Sequence, residues 1–321
     1  MNRRSALRAL AVRALSAAGA GSVFERLLAE ETQGDQQGNY IIQSEVRLVV
    51  LDVSVESHDG GYVSGLSKEN FKVFENNRQQ PITVFAHSDL PVTIGLIVDE
   101  SRSMSPKRPA VLTAALAFIA ESNPADQVFV LNFNDKVKPG LIAPQQFSDN
   151  REELRAALFR GVSEGRTALF DAIVDGLAQL QLGQRDKKAL VLISDGGDNA
   201  SLHTRRQTLD RIVGSTATIY TVGLFDADDP DRDPGILRQL AQISGGRAYF
   251  PEDVSEMIPV CRRIARDIRS RYTLAYLPPA GKDLKRVRSI RVEASAPGHA
   301  AMIARTRTSY RYEAVEDPKQ K

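Results

Sequence analysis

A chain of 321 residues, 26% charged and 42% hydrophobic, is long enough to bury a sizeable core in one large or two smaller domains. Its formal charge of +2 gives no ground for a nucleic-acid or polyanion partner. The single cysteine, Cys261, excludes an intrachain disulfide and any cysteine-rich metal site.

Residues 1–38 read as an export signal and linker. Met1 to Arg8 is basic and contains Arg3-Arg4, and Ala9 to Val23 is rich in Ala and Leu, with small residues near its end. That pattern predicts export to the periplasm or the extracellular space, by the twin-arginine route. Arg13 interrupts the apolar region, and an amphipathic helix with a basic face is the alternative. No later segment has the ~18 uninterrupted apolar residues of a transmembrane helix, so no transmembrane segment is expected.

Residues 39–89 read as an N-terminal β unit. Glu45 to Ser57 alternates Val49, Leu51, Val53 and Val55 with Asp52, Ser54 and Glu56, which predicts a strand. His58 to Gly61 reads as a turn, Phe71 to Phe74 as a strand, Glu75 to Arg78 as a turn and Pro81 to Phe85 as a strand.

Residues 90–270 alternate strand and helix patterns, which predicts an α/β fold: a doubly wound, mostly parallel sheet with helices on both faces. Strands are expected at Thr93 to Val98, Gln127 to Phe133, Ala189 to Asp195, Ala217 to Leu224 and Arg247 to Phe250, with an edge strand at Lys136 to Ile142. Helices are expected at Lys107 to Glu121, Asp149 to Arg160, Thr167 to Leu182, Leu202 to Val213, Pro234 to Ser244 and Val254 to Arg271. Residues 271–312 return to β patterns at Tyr272 to Leu277, Val287 to Ala294 and Ala301 to Tyr310. Isolated hairpins are marginal. The two flanks are therefore expected to pair into one smaller β-sandwich-like unit with the α/β domain inserted in it. Residues 313–321 read as a disordered tail.

The chemistry concentrates in the stretch from Val92 to Met104. An almost uninterrupted apolar run there meets Asp99, Ser101 and Ser103. Open α/β sheets keep their ligand sites at the carboxyl ends of their strands. A carboxylate with two hydroxyls is a hard oxygen set, suited to Mg2+, Ca2+ or Mn2+. Two further oxygen-rich loops follow, one with Thr167 before an apolar helix pattern, the other with Asp195-Gly-Gly-Asp198 after a buried-strand pattern. Taken singly, each residue is more often a helix cap or a turn residue. Together they point to metal ligation.

Asp-x-Ser-x-Ser at 99–103, with a distant Thr167 and a distant Asp195, resembles the metal-ion-dependent adhesion site of von Willebrand factor type A domains, over roughly residues 90 to 270. The whole order of elements, with Gly65 to Phe71 leading into a strand, also resembles the related acidobacterial family. The resemblance implies that Ser101 and Ser103 touch one divalent ion, Mg2+ or alternatively Ca2+ or Mn2+. It implies that Thr167 binds directly or through water, and that Asp99 and Asp195 hold metal-bound waters. It further implies a non-enzymatic module for protein binding, which recognises a partner protein or another acidic ligand by a carboxylate on the ion. Movement of the last helix, Val254 to Arg271, would be coupled to the metal shell.

Glu100, Asp171 and Asp198 are candidates around that shell: Glu100 and Asp198 as negative field, Asp171 as a hydrogen-bonding anchor for its loop. The rival function is a metal-dependent hydrolase at the same site, with Glu100 or Asp198 offered as general base. Other features carry less. Asp226 to Asp233 is dense in carboxylates but lacks the glycine and terminal glutamate of an EF-hand loop. Arg262, Arg263, Arg266, Arg269 and Arg271 read as the solvated face of a helix, interrupted by Asp267. His58, His87, His203 and His299 have no zinc spacing.

Overall fold

The computed structural model describes residues 48–58, 60–225, 232–279, 286–298 and 301–312. The export signal and linker expected at 1–38, most of Asp226 to Asp233, His299 and the tail 313–321 lie outside them. The chain runs β1 (Val49–Ser57), β2 (Phe71–Glu75), β3 (Arg78–Gln80), β4 (Val84–Ala86), β5 (Val92–Asp99), α1 (Arg108–Glu121), β6 (Gln127–Phe133), β7 (Val137–Pro139), α2 (Arg151–Phe159), α3 (Leu169–Gln181), β8 (Lys187–Ser194) and α4 (Arg205–Val213). It continues with β9 (Thr218–Gly223), α5 (Pro234–Ser244), β10 (Ala248–Tyr249), α6 (Met257–Arg269), β11 (Tyr272–Tyr276), β12 (Val287–Ala294), β13 (Met302–Arg305) and β14 (Ser309–Arg311).

Six strands form the central sheet in the order β10-β9-β8-β5-β6-β7. All pair in parallel except β7, an antiparallel edge where Pro139 is tolerated. All of β5 is buried, as a strand covered on both faces requires. Ile94, Leu96 and Val98 point into the core shared with α1 and α6, whereas Ile97 points into the core shared with α3 and α5. Each such side chain contributes about 1.5–3 kcal/mol by leaving water. Cys261 is buried in α6, and burial pushes its thiol up to about 12, so it is a core residue and not a nucleophile.

Two further sheets, β13-β1-β11-β4 and β14-β12-β2-β3, are antiparallel and draw strands from both flanks of the α/β region. β1 pairs with β11 from Val49↔Tyr276 to Val53↔Tyr272, and β2 pairs with β12 from Phe71↔Ala294 to Glu75↔Ile290. Their inner faces meet in one core of Leu51, Val53, Val73, Tyr272, Ile290 and Val292. Neither flank has enough apolar side chains to close that core alone.

Four expectations need correction. The stretch about Pro81 is broken between two sheets: β3 ends at Gln80, residues 81–83 are in no strand, and only Val84 and Phe85 of the strand expected at Pro81 to Phe85 fall in β4. β3 extends the hairpin of β2, Pro81 has no N–H to continue the ladder, and β4 pairs with β11 instead. The strand expected at Ala301 to Tyr310 also divides, because β13 pairs with β1 and β14 with β12. The crossing at Thr306 and Arg307 runs against Gly245, which has φ +83°; the place of a Cβ there is taken by their backbone. The helix expected from Leu202 starts at Arg205, capped by Thr204, since the amides of Leu202 and His203 are held by Asp171. Last, Arg271 is not on a solvated face. It is 3% exposed, and its guanidinium donates to Asp267, to the hydroxyls of Tyr220 and Thr218, and to the carbonyls of Asp52 and Gly245.

Candidate metal centre at the carboxyl edge of the sheet

β5 and β8 are parallel neighbours, with Val98 level with Ile193. Asp99 therefore ends its strand beside Ser194, whose hydroxyl donates to Asp99 Oδ2 at 2.6 Å. The backbone N–H of Ser101 donates to Asp99 Oδ1 at 2.8 Å. The chain then enters a 3-10 turn, Arg102–Lys107, with Ser101 at its N-cap position but no capping bond from its side chain. Its hydroxyl instead lies 3.1 Å from that of Ser103, which donates to Asp195 Oδ2 at 2.5 Å. Asp195 Oδ1 accepts from the Gly197 N–H at 3.1 Å. Gly196, at φ +83°, makes the turn possible, because a Cβ there would meet the backbone of Asp233.

Thr167 reaches this edge through its loop. Its N–H donates to Asn199 Oδ1, its carbonyl accepts from the N–H groups of Asn199 and Ala200, and Gly165 O accepts from the Arg102 N–H. The N-cap of α3 is Ala168, so the Thr167 hydroxyl is not consumed in capping. Asp99, Ser101 and Asp195 are each 2% exposed and Thr167 is 5% exposed.

The electrostatics are those of a crowded anionic site. Burial, and next the charge of Asp195, push the Asp99 carboxyl up to about 7 against the pull of the Ser101 and Ser194 donors. A divalent cation removes that penalty, and every oxygen here is a hard donor. Among the described residues no three His, Cys, Asp or Glu side chains gather as a metal group, so hydroxyls are indispensable to a ligand set at this edge. The residues present fit a hard divalent ion.

The three surrounding acids are engaged elsewhere. Glu100 is buried, and its Oε2 accepts from Arg108 Nε at 2.8 Å and from the Ser163 hydroxyl at 2.7 Å. Its charge is thus countered by Arg108. Asp171 accepts from the N–H groups of Leu202 and His203 and pairs with His203 Nδ1 at 2.6 Å. Asp198 accepts from the Ser201 hydroxyl and the Phe170 N–H, and burial raises its carboxyl. Asp171 and Asp198 together tie the loop after β8 to α3. Sequence reasoning missed Ser194, although a lone serine closing an apolar strand before Asp195 was a signal for it. It also missed Asn199, which carried none.

The family model described as von Willebrand factor type A domain matches residues 93–260, more than half of the chain. The chain belongs to the von Willebrand factor type A domain family. No curated protein matches it. Among solved structures, this von Willebrand factor type A protein is similar in fold to "von Willebrand factor type A from Catenulispora acidiphila", with 14% identity and a TM-score of 0.51, over 75% of this chain and 72% of that one. It also matches proximal thread matrix protein 1 from the mussel byssus, at 15% identity and a TM-score of 0.47, over 56% of this chain and 49% of that one. A third match is the vWF domain of the type V pili tip protein Mfa5 from Porphyromonas gingivalis, at 9% identity and a TM-score of 0.46, over 56% of this chain and 95% of that one. At these identities the likeness is one of fold.

Proposed function

We propose that this chain is a non-enzymatic binding module, which captures a partner protein or another acidic ligand through one divalent ion. Mg2+ is the first choice and Ca2+ or Mn2+ the alternatives. Asp99, Ser101, Ser103, Thr167 and Asp195 would hold it. The observation that carries this reading is the unbroken run of oxygens from Ser101 through Ser103 to Asp195, which joins two loops far apart in sequence. Two carboxylates balance one divalent charge, and neutral hydroxyls add none. The ion then keeps its appetite for one more anionic oxygen, which a partner's Asp or Glu supplies.

The hydrolase alternative needs a free general base. Glu100 is paired with Arg108 through Oε2, its Oε1 is buried, and Asp198 is held by Ser201 and the Phe170 N–H, which favours binding over hydrolysis. Export belongs to the same reading: it rests on the basic, alanine-rich start of the chain and suits a module that meets partners outside the cytoplasm. Among the described residues no helix is long and apolar enough to cross a membrane.

Titration calorimetry with Mg2+ and Mn2+ is the test. One ion per chain is expected to bind, and Asp99→Ala with Ser101→Ala should abolish uptake while the circular dichroism spectrum stays unchanged. Absence of uptake by the intact chain, or full uptake by the double variant, overturns the proposal.

A further inference from the structure

At the amino-terminal side of the sheet, away from Asp99 and Asp195, a cavity of about 540 Å3 opens between the α/β domain and the two antiparallel sheets. The end of α5, the glycine turn before β10, β10 itself, β12 and β13 enclose it. That volume falls in the range of ordinary small-molecule sites. It belongs to none of the chemistry described above.

Among the described residues, four arginines line it, Arg238, Arg247, Arg291 and Arg305, and no acidic side chain does. Two carboxylates stand behind them. Glu56 grips Arg247 at 2.6 and 2.8 Å and lies 3.7 Å from Arg305, while Glu293 pairs with Arg291. Positive charge is therefore in excess at the wall. Three of the guanidiniums are steadied by aromatic rings, Arg238 over Phe250 at 4.5 Å, Arg291 over Phe74 at 4.1 Å and Arg247 over Tyr249 at 5.2 Å. Arg305 Nε and the Thr306 hydroxyl are buried atoms with no hydrogen-bond partner among the described residues, and both residues line the cavity. The rest of the wall sets Phe250, Ile290, Val292 and Ile303 beside Gln242 and Thr308.

We infer that this cavity is a second ligand site, for a small amphipathic oxyanion: a carboxylate, phosphate or sulfate group carried on an apolar body. The guanidinium forks match the paired oxygens of such a group. The apolar wall rewards a hydrocarbon or aromatic body, which a bare inorganic ion lacks. The site does not rest on the metal-binding reading, since it shares no residue with it.

Calorimetry of the full chain in the presence of a chelator keeps the metal centre silent. Phenyl phosphate, benzoate, inorganic phosphate and benzyl alcohol are the probes. Phenyl phosphate or benzoate should bind, and the stronger of the two identifies phosphate or carboxylate as the natural head group. Inorganic phosphate should bind about tenfold more weakly and benzyl alcohol not at all. Arg238→Ala with Arg291→Ala, both partly exposed, should weaken binding by about tenfold or more while the melting temperature holds. Failure of both aromatic anions to bind, equal binding of benzyl alcohol, or undiminished affinity in the double variant overturns the inference.

Discussion

The Ser103 hydroxyl donates to the Asp195 carboxylate at 2.5 Å across 92 residues of sequence. Two different strands deliver these groups, Ser103 through the 3-10 turn after β5 and Asp195 at the start of the glycine turn after β8. The contact exists because β5 and β8 are neighbours in the sheet.

Removing either partner should therefore be felt in metal uptake before it is felt in folding. With Mg2+ at about a hundred times its dissociation constant, bound ion adds about 2.7 kcal/mol to stability. Thermal melts with and without chelator should differ for the intact chain and coincide for Asp195→Ala. An equal metal-dependent shift in that variant would place the ion elsewhere.

Arg271 joins the end of α6 to β1 and to the turn after α5. Arg271→Ala leaves the Asp267 carboxylate buried without its cation, which costs about 3–5 kcal/mol. Urea denaturation measures it. Lysine should not rescue the loss, because a single ammonium cannot reach the carbonyls of Asp52 and Gly245 together with the hydroxyl of Tyr220. A loss below about 1 kcal/mol in Arg271→Ala would mean that the cluster is replaceable.

Gly245→Ala should cost more than about 1 kcal/mol, since φ is +83° and the backbone of Thr306 and Arg307 occupies the side-chain position. Gly214 is the control. Its φ is −79° and its nearest neighbours to a Cβ lie at 3.5 and 3.6 Å, so Gly214→Ala should stay within about 0.5 kcal/mol. Equal effects at the two positions would refute the argument from conformation.

Asp171 gives a pH signature. Burial acts to raise its carboxyl, but the N–H groups of Leu202 and His203 and the His203 ring outweigh it, so the group sits below its usual range. A folded-state value below the unfolded one stabilises the protein above the unfolded pKa of about 3.9. That stability disappears as pH falls through the folded value. Asp171→Asn should lower stability at neutral pH and flatten its decline below about pH 4. Parallel acid-unfolding curves for the two proteins would show that Asp171 is not the group responsible.

Much of the central domain was legible in the chain. β6, α5 and β12 begin and end where periodicity places them, because each is bounded by a local signal and one residue face sees one environment. The acid at the end of β5 was legible for the same reason: a run buried on both faces has to stop where polar groups start. The late start of β4 after Pro81 and the division at Thr306 were not legible, since sheet membership depends on partners elsewhere in the chain.

By itself, then, the sequence determined the doubly wound pattern, the oxygen-rich loops at the ends of its strands, and membership in a family of such domains. Tertiary structure alone decided which oxygens meet. It set Ser194 against Asp99, turned Glu100 toward Arg108, and buried Arg271 where the helical pattern pointed to solvent. The physical reason is that periodicity reports the environment of one face of one element. Charge pairing and ligand convergence are set by which elements become neighbours, and only the packed chain specifies that.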